Sequence, residues 1–353
     1  MDRNAPIGVF DSGVGGLTVM REIMRQMPDE RIVYFGDTAR VPYGNKSKET
    51  VIRYSQQIIR FLQTKDVKAI VIACNTASAC ALEAVERSLD IPIIGVISAG
   101  SRAAVEATRN GKIGIIGTEA TIRSGVYSEE MKRLREDIEV TGKPCPLFVP
   151  LVEEGLLHDS VTDEIASRYL ACLKGKYIDT LVMGCTHYPL LRSTFKRLMG
   201  DDVTLVNPAY ETAVELRELL EKNEMTCTGE SCGDGNGKNG SSGHGDFEHG
   251  SCGHGGSKQG NCGHGGSKQE SCGHGDCEHG SCGDGDSEQG SCRHGVCEHE
   301  GSEQGCHKHG AGEKHRDQYQ FFVSDLAEKF TNFATSILPK EVKETKKINI
   351  EEY

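Results

Sequence analysis

Two cysteines, Cys74 and Cys185, stand in matching local settings and are the clearest candidates for chemistry in this sequence. Cys74 follows the apolar run 69–73, Cys185 follows the run 180–184, and two polar residues come after each cysteine. Short apolar runs of this kind predict buried strands, and ligands of α/β sheets bind at the carboxyl ends of strands. The polar residues open predicted helices, whose N-termini favour an anion and can lower the pKa of a thiol.

A pair of thiols that face each other across a cleft could either form a disulfide or move protons. The two cysteines are 111 residues apart and do not form a C-x-x-C pair, so proton transfer is the better interpretation. One thiolate removes an α-proton, the other thiol returns a proton to the opposite face, and the stereocentre inverts. Asp11, Glu153 and His187 are the candidates for tuning the thiols. Taken singly, each cysteine could instead be an inert buried residue.

The elements that position these cysteines are predicted from alternating apolar runs and helical stretches. The runs that predict strands are 7–10, 32–35, 69–73, 91–97, 113–116, 147–152, 181–183 and 203–206. Strands that alternate with helices predict an α/β fold with parallel sheets. Each half contains four strands, and in each half a cysteine ends the third strand. We therefore expect two similar α/β domains facing each other across a cleft, a pseudo-duplication.

Other polar residues near predicted strand ends leave alternatives open. Asp11 opens a Gly-rich loop that lacks the dinucleotide and Walker patterns, so it could face a small anion in the cleft or cap a helix. Tyr43 lies in a Pro/Gly turn and could be a lid or a surface residue. Glu153 could reach the cleft or belong to a solvated helix start, while Thr118 and Thr121 offer uncharged hydroxyls.

Residues 226–316 differ from the rest in composition. They hold 26 of the 43 Gly, 10 of the 15 Cys and 11 of the 13 His, and cysteines recur every ten residues from 252 to 292. With almost no apolar side chains, the segment should be disordered without a ligand. Such residues suit zinc, nickel or copper(I). The candidate ligands are Cys277, His279 and Cys282 for one ion, and Cys297 with His299 for another. Alternatively, the tract is an expanded repeat without a role.

The rest of the chain has the composition of a mildly acidic globular protein. The whole chain carries a net charge of −12, and residues 226–316 carry 14 acidic and 7 basic residues, which leaves −5 for the remainder. No basic cluster suggests nucleic-acid binding, and no run is long enough to span a membrane. The N-terminus lacks a signal-peptide pattern, so we expect a cytoplasmic protein with reduced thiols. From residue 319 apolar residues return, and this tail should pack back onto the core.

Four motifs, in this order, resemble those of bacterial glutamate racemases. They are Asp11-Ser-Gly-Val-Gly-Gly-Leu-Thr18, Val41-Pro-Tyr-Gly44, Ala73-Cys-Asn-Thr-Ala-Ser78 and Gly184-Cys-Thr-His-Tyr-Pro189. The resemblance covers residues 7–225 and 317–338. It implies an enzyme that interconverts L- and D-glutamate without pyridoxal phosphate or metal, supplies D-glutamate for peptidoglycan, and is commonly a homodimer.

The resemblance also assigns roles to residues and boundaries to the domains. Cys74 and Cys185 become the acid/base pair. The implied substrate contacts are Asp11, Ser12, Tyr43, Gly44, Asn75, Thr76, Thr186 and His187, with Thr118, Thr121 and Glu153 as weaker assignments. The implied domains are 1–98 with 208–225 and 317–353, then 99–207, with 226–316 as an insertion. Two alternatives stay open: a racemase for aspartate or another amino acid, and a metal-binding or metal-storage protein in which the racemase core is incidental.

Overall fold

The computed structural model describes residues 2–227, 318–338 and 341–353, and within these ranges ten strands form two parallel sheets. The strands are β1 Ile7–Asp11, β2 Ile32–Gly36, β3 Ala69–Ile72, β4 Ile93–Gly95, β5 Lys112–Gly117, β6 Glu139–Pro144, β7 Thr180–Gly184, β8 Thr204–Val206, β9 Tyr319–Val323 and β10 Thr345–Lys347. The α-helices are α1 Leu17–Gln26, α2 Lys48–Gln63, α3 Asn75–Glu86, α4 Val96–Ala107, α5 Glu119–Ser124, α6 Val126–Leu134, α7 Phe148–Glu153, α8 Ser160–Lys174, α9 Arg192–Met199, α10 Pro208–Lys222 and α11 Ala327–Ile337. In the described ranges, no helix is long and apolar enough to cross a membrane.

The two sheets repeat one strand order, which confirms the predicted α/β fold with two similar halves. The first sheet runs β10-β9-β2-β1-β3-β4 and the second runs β6-β5-β7-β8. The order β2-β1-β3-β4 is therefore matched strand for strand in the second sheet. Cys74 follows β3 and Cys185 follows β7, so the two cysteines occupy equivalent places. The residue boundaries of the two domains stay a prediction.

One predicted strand is wrong. Residues 147–152 were expected to form a strand, but Phe148–Glu153 is the helix α7. Phe148, Val149 and Val152 are buried, and their spacing places them on one face of a helix. The strand beside β5 is instead Glu139–Pro144, which lies at the sheet edge with partly exposed side chains and so lacks an apolar run.

The segment after residue 317 returns to the first sheet, as predicted. Strand β9 pairs with β2 in parallel, with Tyr34 opposite Phe321. Behind the sheet, Phe330 of α11 packs against the ring of Tyr34, with centroids 5.8 Å apart. The first sheet is thus completed by chain that is separated from Cys227, the preceding described residue, by 90 residues.

The two described ends that flank residues 228–317 are both fixed at Glu30, at the start of β2. The buried carboxylate of Glu30 lies 2.6 Å from the ammonium of Lys68, which also donates a hydrogen bond to the Met225 carbonyl at 2.8 Å. The Cys227 N–H donates to Glu30 Oε1 at 2.9 Å, and Gln318 Nε2 donates to the Glu30 carbonyl at 3.2 Å. These contacts lie at the amino ends of the strands, whereas the two cysteines lie at carboxyl ends of strands.

Candidate active site

The carboxyl ends of both sheets contribute to one small cavity that brings the two cysteines together. Ten of the residues predicted for the site line it: Ser12, Tyr43, Gly44, Cys74, Asn75, Thr76, Thr118, Cys185, Thr186 and His187. Asp11, Thr121 and Glu153 lie behind this wall and contact residues in it. The cavity has a volume of about 20 Å³, enough for about one water molecule. An amino acid can therefore enter only if the walls move apart.

Cys74 occupies the N-cap of α3 on the first half. Its sulfur accepts a hydrogen bond from the Ala77 N–H at 3.4 Å, and its thiol donates to Ser12 Oγ at 3.6 Å. Burial, together with the nearby charge of Asp11, raises the pKa of Cys74 to about 12. The helix N-terminus was expected to tune this thiol toward ambient pH. Desolvation outweighs that effect here, so Cys74 is a protonated thiol at neutral pH.

Cys185 has a different charge environment on the second half. Its sulfur lies 3.8 Å from Nδ1 of His187, and Nε2 of the same ring lies 3.1 Å from Glu153 Oε1. Burial lowers the pKa of His187, but the hydrogen bonds to Cys185 and Glu153 outweigh burial and raise this pKa to about 10. His187 is therefore cationic at neutral pH, and a cation beside this sulfur stabilises negative charge on it.

The structure after Cys185 differs in one detail from the predicted helix. Tyr188–Leu191 forms a short 3-10 helix before α9 begins. A single short turn offers little dipole, so His187 is the main positive group at this sulfur. Glu153, at the end of α7, is not part of a solvated helix start, since it holds the far side of the imidazole.

Asp11 lies at the end of β1 and connects the two halves. Its carboxylate accepts hydrogen bonds from the Gly13 N–H at 2.9 Å and from Thr186 Oγ1 at 3.4 Å. The alternative of a helix cap is wrong, because Gly16 is the N-cap of α1 and no side chain caps it. Burial raises the pKa of Asp11, and the charge of His187 partly opposes that shift. A Cβ at Gly15 would lie 2.2 Å from Thr186 Oγ1, so this approach of the two halves requires glycine.

Three threonine hydroxyls form a triangle on the other side of the cavity. Thr76 and Thr118 are 2.9 Å apart, Thr118 and Thr121 are 2.9 Å apart, and Thr76 and Thr121 are 3.2 Å apart. Thr76 belongs to the first half and the others to the second. Hydroxyls can donate to a carboxylate without adding charge, so this triangle suits an anionic group of a ligand.

Two tyrosines hold the wall through their hydroxyls. The buried Tyr43 lines the cavity, which excludes a surface role, but its hydroxyl donates to the buried carboxylate of Asp37. Tyr127 donates to Asn75 Oδ1 at 2.7 Å. Sequence reasoning missed both Asp37 and Tyr127. Asp37 stands at the carboxyl end of β2, as Asp11 stands at the carboxyl end of β1, which was a usable signal, whereas Tyr127 lies in a helical stretch without such a signal.

The metal prediction concerns a different part of the chain. Among the described residues, no group of three or more His, Cys, Asp or Glu side chains is arranged to hold a metal ion. The candidate ligands Cys277, His279, Cys282, Cys297 and His299 lie outside the described residues, so zinc, nickel or copper binding there stays a prediction.

Comparison with known proteins gives a consistent result for the part of the chain that forms this site. A model of the Asp/Glu/Hydantoin racemase family matches residues 7–216. A glutamate racemase from Geobacter metallireducens is 53% identical over 219 residues, which is 62% of this chain and 81% of the relative.

Two solved structures of glutamate racemases are similar to this chain. A glutamate racemase isoform, RacE1, from Bacillus anthracis superposes with a TM-score of 0.71 at 30% identity, covering 98% of each chain. A glutamate racemase from Francisella tularensis, solved in complex with D-glutamate, gives a TM-score of 0.71 at 29% identity, covering 99% of this chain and 100% of that one.

Proposed function

Because the chain belongs to the Asp/Glu/Hydantoin racemase family and is therefore an amino-acid racemase, we propose that it interconverts L-glutamate and D-glutamate. The observation that carries this proposal is the pairing of Cys74 and Cys185 in one cavity. The choice of glutamate rests on the activity that the similar proteins carry in their names. A racemase for aspartate or another amino acid is the near alternative.

The proposed mechanism uses the difference between the charged groups that surround the two thiols. With His187 cationic beside it, Cys185 acts first as the base: its sulfur takes the α-proton, and the electron pair of the C–H bond stays on the α-carbon. Cys74, protonated at neutral pH, then gives its proton to the opposite face. The product has the inverted configuration, Cys185 is now a thiol and Cys74 a thiolate. After product release, Cys185 gives its proton to solvent and Cys74 takes one from solvent, which restores the starting state for the next turnover.

Polar groups around the cavity are proposed to bind the substrate and stabilise charge. We propose that the hydroxyls of Thr76 and Thr118, the amide of Asn75 and the side chain of Thr186 contact the carboxylates of the substrate, since all four residues line the cavity. Such contacts stabilise the carbanion as negative charge moves into the α-carboxylate. We further propose Ser12, Tyr43, Gly44 and His187 as substrate contacts, with Asp11 and Glu153 supporting the two thiols.

The wider role is also a proposal. We propose that the enzyme needs neither pyridoxal phosphate nor metal, works in the cytoplasm as a homodimer, and supplies D-glutamate for peptidoglycan. The support is the resemblance of the motifs to those of bacterial glutamate racemases.

The direct test follows the circular dichroism of D-glutamate and, separately, of D-aspartate after chelator treatment of the purified protein. We expect the D-glutamate signal to decay to zero and the D-aspartate signal to persist. If only the D-aspartate signal decays, the substrate is aspartate and not glutamate. Activity that appears only when zinc or nickel is added back would contradict the cofactor-independent mechanism.

Replacing residues 228–317 with a short Gly/Ser linker tests the alternative of a metal-binding protein. Because the flanking residues Cys227 and Gln318 both contact Glu30, a short linker should join them without moving β9. Long insertions at such positions affect stability little, so we expect kcat/KM within about twofold of the full chain. A deletion variant that keeps its melting temperature but loses racemisation would favour a functional role for the repeat.

A further inference from the structure

Residues 41–44 form one wall of the cavity, and the segment that follows residue 317 contacts the loop that leads to this wall. Ser324, directly after β9, is buried and does not line the cavity. Its hydroxyl donates a hydrogen bond to Asp37 Oδ1 at 2.8 Å and accepts one from the Ala39 N–H at 2.8 Å. One side chain therefore fixes both the carboxylate and the backbone at the start of the loop that leads to the wall.

Asp37 connects Ser324 to the wall of the cavity. Its carboxylate is fully buried and accepts hydrogen bonds from Arg40 Nε at 2.7 Å and from the hydroxyl of Tyr43. A buried carboxylate is tolerated only when its oxygens are paired, so each donor matters to its orientation. Tyr43 and Gly44 line the cavity, and a Cβ on Gly44 would lie 2.6 Å from Thr118 Cβ. A small shift of this loop would therefore change the shape of the cavity.

Neighbouring contacts hold the same loop to the same segment. The Ser324 N–H donates to the Gly36 carbonyl at 3.2 Å, and the Asp325 N–H donates to Thr38 Oγ1 at 2.9 Å. The Thr38 hydroxyl in turn donates to the Asp325 carbonyl. Residues 36–39 are thus bound to 324–325 by backbone and side chain, although the two segments are nearly 290 residues apart in the sequence.

We propose that Ser324 is a positioning residue for the racemase reaction, which it serves by orienting Asp37 and, through it, the Tyr43–Gly44 wall. The site formed by the first 227 residues is then incomplete without the segment that follows the repeat. This inference rests on the proposed racemase activity. In the proposed function Tyr43 and Gly44 contact the substrate in the ground state and in the transition state. Losing the position of this wall then weakens the binding of both, which raises KM and leaves kcat nearly unchanged.

Ser324→Ala tests this in the full-length protein with D-glutamate as the substrate. A hydrogen bond to a buried charge is worth enough for KM to rise about tenfold, with kcat within about twofold of wild type. Ser324→Thr keeps the hydroxyl, so its KM should be close to the wild-type value. The matched control is Ser336→Ala in the same segment, whose exposed hydroxyl donates only to the Phe333 carbonyl at 2.6 Å, and it should leave both constants unchanged.

A double variant separates positioning from a general loss of stability. Because Ser324 and Tyr43 both act on Asp37, Ser324→Ala combined with Tyr43→Phe should raise KM by less than the product of the two single effects. An unchanged KM in Ser324→Ala, or a fall in kcat without a rise in KM, would overturn the proposal. Independent, multiplying effects of the two substitutions would overturn it as well. Wild-type racemisation, measured alongside, tells failure of this inference apart from failure of the proposed function.

Discussion

Cys74→Ser and Cys185→Ser should each lower kcat/KM for D-glutamate by about 10³-fold, the range expected when a general acid or base is lost. A serine hydroxyl is a far weaker acid than a thiol, so it can neither hold the negative charge that the base carries nor release a proton at the needed rate. Both sulfurs are buried in the same cavity, and loss of either one leaves a single proton-transfer group on one face of the substrate. The measurement is racemisation followed by circular dichroism.

Deuterium exchange makes this prediction sharper. In D₂O, a variant with one remaining thiol can still remove a proton and return deuterium on the same face, without inversion. Any residual exchange should therefore be confined to one enantiomer of glutamate, and to opposite enantiomers in the two variants. Cys172→Ser is the matched control, since Cys172 is exposed and lies outside the cavity, and it should keep full activity. Near-full racemisation by Cys74→Ser or Cys185→Ser would refute the two-thiol mechanism.

The parts of the site that could be predicted from sequence are those defined by local pattern. Cys74 and Cys185 were predictable because each follows a short apolar run of the kind that predicts a buried strand, and the carboxyl ends of parallel strands meet at one end of a sheet. The matching settings also predicted two similar halves, and the two sheets do share one strand order. Local pattern failed for Glu139–Pro144, since an edge strand with polar side chains carries no apolar signal.

The parts that could not be predicted depend on contacts between distant residues. Asp37 owes its role to donors from Tyr43 and from Ser324, the latter 287 residues away. Burial in the folded chain raises the pKa of Cys74, and the sequence around this cysteine does not reveal that burial. The charge on His187 likewise depends on Glu153, which lies 34 residues earlier in the chain at the end of α7. The sequence therefore identifies the two candidate cysteines, whereas the charged groups around them depend on contacts that form only in the folded chain.

His187→Asn should lower kcat by about 100-fold, because it removes the cation that stabilises negative charge on Cys185. The pKa of His187 is raised to about 10, so the charge is present through neutral pH and is lost as pH rises through that value. Wild-type kcat should accordingly fall toward pH 10. In Glu153→Gln the imidazole loses a partner that raises its pKa, so the alkaline fall should begin at lower pH, with a smaller loss of kcat at neutral pH.

The controls for this prediction separate charge from packing. His158 is exposed between α7 and α8, so His158→Asn should leave both kcat and the pH profile unchanged. His187 is buried, and the melting temperature of His187→Asn must be measured to show that the site is intact. Glu153→Gln changes one atom and keeps the side-chain shape, so its pH profile is the decisive measurement. If kcat of Glu153→Gln falls at the same alkaline pH as kcat of the wild type, the Glu153–His187 contact does not set the charge beside Cys185. The order in which the two cysteines act would then be open to reversal.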